Sequence, residues 1–181
     1  MKIRNVSIQD ITQVKAIADR LAVSTKNESR RTGFYDYPIT ISQYERRSES
    51  PLFLVSCRDS DVEGFCMAYD SNFIKRLIEK EPTLREDVVF KYLDGLEGDF
   101  VYLDQLAVKG VGTMGGSVVA CNLVDRLIAL SGGKKFIEGF IVHRPWKNEG
   151  SIKFFTHKGA RLMGEVQSDK IVFGIYRKDL C

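Results

Sequence analysis

Midway along the chain, Leu103-Asp104-Gln105-Leu106-Ala107-Val108 runs directly into Lys109-Gly110-Val111-Gly112-Thr113-Met114-Gly115-Gly116-Ser117. The pattern is an apolar strand entering a glycine-rich loop. Glycine lets backbone approach a ligand closely. The unpaired N–H groups at the helix start that follows favour an anion. Holding a phosphate is the chemistry that suits this junction, and a tight turn with no ligand is the plain alternative. Spacing excludes two familiar phosphate loops. No Gly-Lys-Ser/Thr ending is present, so this is not a Walker loop. Gly110, Gly112 and Gly115 do fit G-x-G-x-x-G, but they follow a strand past the chain's midpoint with no second nucleotide-binding half after it.

The 181 residues suffice for one domain, expected over 1–181 with a helical insertion at about 70–99. Hydrophobic residues at 44% and charged residues at 28% suit an ordinary soluble globule. With 27 basic and 24 acidic side chains, the formal charge of +3 is too balanced to argue for nucleic acid. There is no run of 18 apolar residues and no apolar signal core, so neither membrane insertion nor export is expected and the location is read as cytoplasmic. Cys57, Cys66, Cys121 and Cys181 are scattered without a C-x-x-C, as small buried hydrophobes of a reducing compartment would be. With His143 and His157 the two histidines available, no metal site is expected.

Several elements must position that loop. Residues 2–6 read as a strand, and Ser7 with Asp10 as a capping pair for a helix carrying Ile11, Val14, Ile17, Ala18 and Leu21. The stretch 24–36 is polar and basic, and a short helix over about 40–48 follows. Residues 52–57 and 62–69 form a hairpin about 58–61. Within 70–99, Phe73, Ile74, Leu77 and Ile78 mark one helix, and Pro82 opens another carrying Leu84, Val88 and Val89. Strand 100–108 enters the glycine loop, and a helix over 118–130 leaves it, stopped by Ser131-Gly132-Gly133. Strand 135–143, a helix over 149–158 stopped by Gly159, and a hairpin of 161–166 with 171–176 complete the chain.

The run Val142-His143-Arg144-Pro145-Trp146-Lys147-Asn148-Glu149-Gly150-Ser151-Ile152-Lys153-Phe154-Phe155-Thr156-His157-Lys158-Gly159-Ala160 resembles a motif of the GNAT acetyltransferase superfamily, N-x-x-A/S-x-x-x-Y-x-x-x-G-F. Asn148, Ser151, Phe155 and Gly159 fall in register without gaps. The strand and glycine loop 103–117 resemble that family's other motif, in the right order and at the right separation. The element order matches along nearly the whole chain. The resemblance implies an α+β (mixed α/β) fold with a mostly antiparallel central sheet flanked by helices. Two central parallel strands, here 100–108 and 135–143, would splay apart, with acetyl-coenzyme A lying between them.

On this resemblance the pantetheine arm pairs with main chain at Leu106, Ala107 and Val108, like an added strand. The pyrophosphate sits over Val111, Gly112, Thr113, Met114, Gly115, Gly116 and Ser117, and Asn148, Ser151 and Phe155 complete the cofactor set. Asp104 is the implied base, with Tyr102 on the same face as a donor to the departing thiolate and His143 as a further proton carrier near the cleft mouth. Each has a plain structural alternative: a solvated strand carboxylate, a core tyrosine, a surface-loop histidine. Two departures stand out. The family loop reads Q/R-x-x-G-x-G/A, and here Gly112 takes the Gln/Arg position, leaving Lys109 to supply charge. The family's frequent tyrosine acid is Phe155, which cannot donate a proton. A thiol pKa near ~8.5 makes thiolate a tolerable leaving group without it.

The implied function is N-acetyl transfer from acetyl-coenzyme A to a small-molecule or peptide amine by direct transfer in a ternary complex. A non-catalytic acyl-coenzyme A-binding or regulatory protein is the alternative, and a bare scaffold the third reading. The acceptor is expected beside about 24–47 and 167–170. Lys26, Arg30, Arg31, Arg46 and Arg47 there would suit an acidic acceptor, whereas eight acids against five bases in 70–99 would suit a polyamine or basic peptide. The sequence leaves monomer and homodimer both open.

Overall fold

The computed structural model describes residues 1–23, 34–35 and 39–180. Cys181 and most of the basic stretch 24–36, including Lys26, Arg30 and Arg31, lie outside the described residues. Seven strands form one mixed sheet in the order β1 (Lys2–Asn5), β4 (Leu54–Arg58), β5 (Asp61–Asp70), β6 (Phe100–Val108), β7 (Phe136–Arg144), β9 (Ile171–Asp179) and β8 (Arg161–Ser168). Two short segments, β2 (Ala22–Val23) and β3 (Phe34–Tyr35), pair separately. Within the seven-stranded sheet, β6 and β7 run parallel and every other described pairing is antiparallel.

The helices are α1 (Ile11–Leu21), α2 (Ile41–Arg47), α3 (Ser71–Lys80), α4 (Val88–Asp94), α5 (Met114–Leu130) and α6 (Glu149–His157). Most begin at a side-chain oxygen that takes a first-turn N–H: Thr40, Asp70, Asp87, Thr113 and Asn148 do so for α2 to α6. Ser7 and Asp10 form the expected capping box, opening a 3-10 turn over Ile8–Asp10 that continues into α1. Arg4 grips Asp10 at 2.6 and 2.9 Å and holds its carboxyl down at about 2.

Alternate residues of β6 divide the core between the two sheet faces. Phe100, Tyr102 and Ala107 pack with residues of α1, α2, α3 and α4. Val101, Leu103 and Val108 pack with Val119, Ala120, Leu123 and Leu127 of α5. Gly64 makes the approach of α5 close, since a Cβ there would lie 2.8 Å from the Ala107 carbonyl and 3.0 Å from Val119. Cys57 and Cys66 are buried and free, and burial pushes the Cys66 thiol well up.

Two elements differ from the sequence reading. Pro82 opens a 3-10 turn, Pro82–Glu86, and the following helix starts separately at the Asp87 cap. Helix α5 begins at Met114, four residues before the expected Val118, so Gly115 and Gly116 occupy its first turn.

Candidate functional site

Strands β6 and β7 pair over four residues, Phe100 to Leu103 against Phe136 to Gly139. Beyond that point they part. β6 stays paired with β5 to Val108, and β7 stays paired with β9 to Arg144. Residues 104–108 therefore keep one neighbouring strand and lose the other, leaving a row of main-chain donors and acceptors along the gap. At the fork, Gly139 seats the Phe155 ring of α6; a Cβ there would lie 3.4 Å from Phe155 Cε1 and 3.5 Å from the Leu103 carbonyl. The Asn148 N–H, donated to the Val142 carbonyl at 3.0 Å, ties the start of α6 to the diverging part of β7.

A cleft of about 630 Å³ occupies the fork. Its wall draws on both cores, so it passes through the sheet. On the α5 side it meets Leu106, Val108, Gly116, Ser117, Asn148 and Phe155. On the other side it meets Tyr102, Asp104, Gln105, Phe90, Phe140 and Phe173.

At the α5 end, Thr113 organises the helix start. Its Oγ1 accepts the Gly116 N–H at 3.1 Å and its carbonyl accepts the Ser117 N–H at 3.0 Å. The N–H groups of Met114 and Gly115 have no acceptor among the described residues. Two glycines have structural reasons here. Gly112 has φ +81°, which favours glycine, and a Cβ on Gly116 would lie 1.9 Å from the Gly110 carbonyl oxygen. Gly115 is exposed and is not part of the cleft wall, and a Cβ there would make ordinary contact with Thr113 Oγ1 at 3.9 Å. Val111, Gly112 and Ser151 also line the cleft, whereas the side chains of Ala107, Thr113 and Met114 do not. Lys109 does not line the cleft; its Nζ is paired with Asp61 at 2.6 Å across the strands. Asn148 serves as the α6 cap, its Oδ1 accepting the Ser151 N–H at 3.1 Å.

On the other side, Asp104 is the extra residue of a β-bulge. Met67 pairs with Gln105 and Ala68 with Leu103, leaving Asp104 unpaired between them. Consecutive side chains consequently reach the same side of the sheet. Gln105 accepts a hydrogen bond from Tyr44 of α2 at 2.8 Å. Asp104 accepts from Tyr69 at 2.8 Å and Tyr102 at 3.1 Å. Burial raises the Asp104 pKa, opposed by the Arg47 charge and the two phenol donors. Burial, with the Asp104 charge added, holds both phenols well above their ordinary range. The arrangement is a half-buried carboxylate facing a cleft, fixed by two donors and raised toward neutrality, which suits a proton acceptor.

Tyr102 and Asp104 are thus brought together at the cleft, and His143 does not join them. Its ring is engaged by Glu165 at 2.7 Å and Tyr176 at 3.0 Å, packs against Gly174, and is absent from the cleft wall. Arg46 and Arg47, expected to greet an acidic acceptor, are both tied to Glu81, and Arg47 is fully buried. Tyr69, Tyr44 and Arg47 were not marked by any sequence motif; the Tyr69–Tyr102 register of the β5–β6 pair is the signal that finds the first. Among the described residues no group of three or more His, Cys, Asp or Glu could hold a metal ion, and no helix is long and apolar enough to cross a membrane.

No family model matches the chain, and no curated protein matches it in sequence. Solved structures do match along its length. Ard1 from Thermoplasma volcanium is 15% identical with a TM-score of 0.68, covering 99% of this chain and 97% of its own. An acetyltransferase of the GNAT family from Bacillus cereus is 15% identical with a TM-score of 0.61, covering 99% and 97%. The yncA protein of Salmonella typhimurium, solved with its cofactor acetyl-CoA, is 17% identical with a TM-score of 0.59, covering 100% and 94%. The chain thus has the GNAT acetyltransferase fold.

Proposed function

We propose that residues 1–181 form one acetyl-coenzyme A-dependent N-acetyltransferase domain acting by direct transfer to a primary amine. The observation that carries this reading is the fork between β6 and β7, with a glycine-built helix start at one end and Asp104 at the other. It is supported by the shared fold and by the acetyl-CoA found in the Salmonella neighbour. Acetyl-coenzyme A would supply an activated thioester: the neutral amine nitrogen bonds to the carbonyl carbon, the C–S bond breaks with the sulfur leaving as thiolate, and the second proton shed by the nitrogen passes to that thiolate.

The chain's own groups fit that molecule. Leu106, Ala107 and Val108 offer the open edge of β6 to an extended arm. The Met114 and Gly115 N–H groups, with Val111, Gly112, Gly116 and Ser117 around them, offer a seat for a diphosphate. Asp104 takes the proton of the incoming ammonium. Deprotonating an alkylammonium of pKa about 10.4 at pH 7 costs roughly 4–5 kcal/mol, which makes such a base worthwhile. Tyr102 donates to Asp104 and positions it.

Calorimetry with acetyl-coenzyme A, followed by thiol release with amines, tests the reading. Binding with release is expected, and no binding overturns it. A non-catalytic acyl-coenzyme A-binding role is the second reading, favoured by Phe155 in place of a phenol and by Lys109 being committed to Asp61. Binding without release across the amine panel would select it.

A further inference from the structure

We infer that the acceptor is a primary amine carried by an apolar, ring-sized group; this rests on the acetyl-transfer reading above. The wall on the Asp104 side of the cleft carries it. Leu21, Val88, Phe140 and Phe173 pack against the core there yet remain half-buried, and Phe90 and Ile171 extend the same apolar surface. Here their uncovered faces line the cleft.

The charges agree. Among the described residues, the cleft wall contains no Lys or Arg, and its charged members are Asp87 and Asp104. Asp87 is engaged as the cap of α4, accepting the N–H groups of Val89 and Phe90. Among the described residues, two carboxylates, Asp104 and the α4 cap Asp87, thus stand among apolar walls. A single ammonium on an apolar body matches that arrangement. Among the described residues, the wall offers no row of carboxylates for a polyamine and no cation for an acidic amine, Arg46 and Arg47 being held by Glu81. Placing a ring against those walls is expected to raise kcat/KM by about 10- to 100-fold over an amine of the same charge without one.

The shared chemistry has two sources, a free arylalkylamine or a peptide amino terminus with an apolar first residue. The experiment titrates the protein calorimetrically with 2-phenylethylamine, ethylamine, spermidine, glutamate and a phenylalanine-initiated tetrapeptide, and measures thiol release from acetyl-coenzyme A with each. Preference for 2-phenylethylamine or for the tetrapeptide supports the inference and assigns the source. Equal response to ethylamine, preference for spermidine or glutamate, or no amine binding at all overturns it. The amine titration is read without turnover, so the two readings separate. Binding of acetyl-coenzyme A with preference for spermidine removes this inference and leaves the transferase. Binding of 2-phenylethylamine without acetyl-coenzyme A does the reverse. Phe173→Ala is expected to raise KM for 2-phenylethylamine about tenfold, with acetyl-coenzyme A affinity retained as the check that the variant folds. An unchanged KM would place the ring elsewhere.

Discussion

At the scale of single residues, two phenols act on one carboxylate. Asp104 is raised because the protein strips its water, and it stays usable as a carboxylate because Tyr69, Tyr102 and the Arg47 charge favour the ionised form. A base whose folded pKa lies above the ordinary value is protonated at low pH and becomes competent only as pH climbs through that raised pKa. Activity is therefore expected to show an acid limb set by Asp104. Asp104→Asn is expected to lower kcat by about 10²- to 10⁴-fold with acetyl-coenzyme A affinity retained; an unchanged rate and limb would remove Asp104 from the chemistry. Tyr69→Phe removes one donor to the charged form, so the limb moves upward by about one pH unit. A limb that stays put in Tyr69→Phe would mean that the 2.8 Å contact does not govern the proton.

Elements decide where such residues arrive, and they were legible unevenly. Caps and hairpins are local: Ser7 with Asp10, or the Arg58–Asp61 turn, declare themselves within a few residues. Gly115 and Gly116 looked like loop because glycine disfavours helix. They are helical because Thr113 caps them and the Gly110 carbonyl lies where a Cβ of Gly116 would be. Asn148, Ser151 and Phe155 stand out through a motif, and all three line the cleft at the fork. The Tyr69–Asp104 bond was out of reach, since it depends on a register 35 residues apart and on a one-residue bulge. The partners of His143, Glu165 and Tyr176, were equally out of reach, because a strand end near a cleft does not fix which neighbour its ring takes. The loop gives a prediction at this scale. Gly116→Ala forces the 110–116 turn to shift and is expected to weaken acetyl-coenzyme A binding by about tenfold or more. Gly115→Ala has room for its methyl and is expected to retain the wild-type unfolding transition. Equal calorimetric affinities for Gly116→Ala and wild type would separate this turn from the diphosphate.

Across the whole molecule, the site depends on a charge pair that lies behind it. Arg47 of α2 is fully buried, and Glu81, just after α3, is 8% exposed. Arg47 reaches both carboxylate oxygens, while its Nε has no partner. This pair joins α2 to the helical segment between β5 and β6, and the same guanidinium charge holds Asp104 toward ionisation. Removing one partner leaves the other as an uncompensated buried charge, which typically costs about 3–5 kcal/mol, whereas replacing both by apolar groups of similar volume is often neutral. Glu81→Gln is therefore expected to lose about 3 kcal/mol in urea unfolding, and Arg47→Met with Glu81→Leu to recover most of it. Stability and catalysis then part company. The double variant, though folded, lacks the cation that favours the Asp104 carboxylate, so its acid limb is expected at higher pH than wild type. A double variant with restored stability and an unmoved limb would confine the Arg47–Glu81 pair to holding the fold.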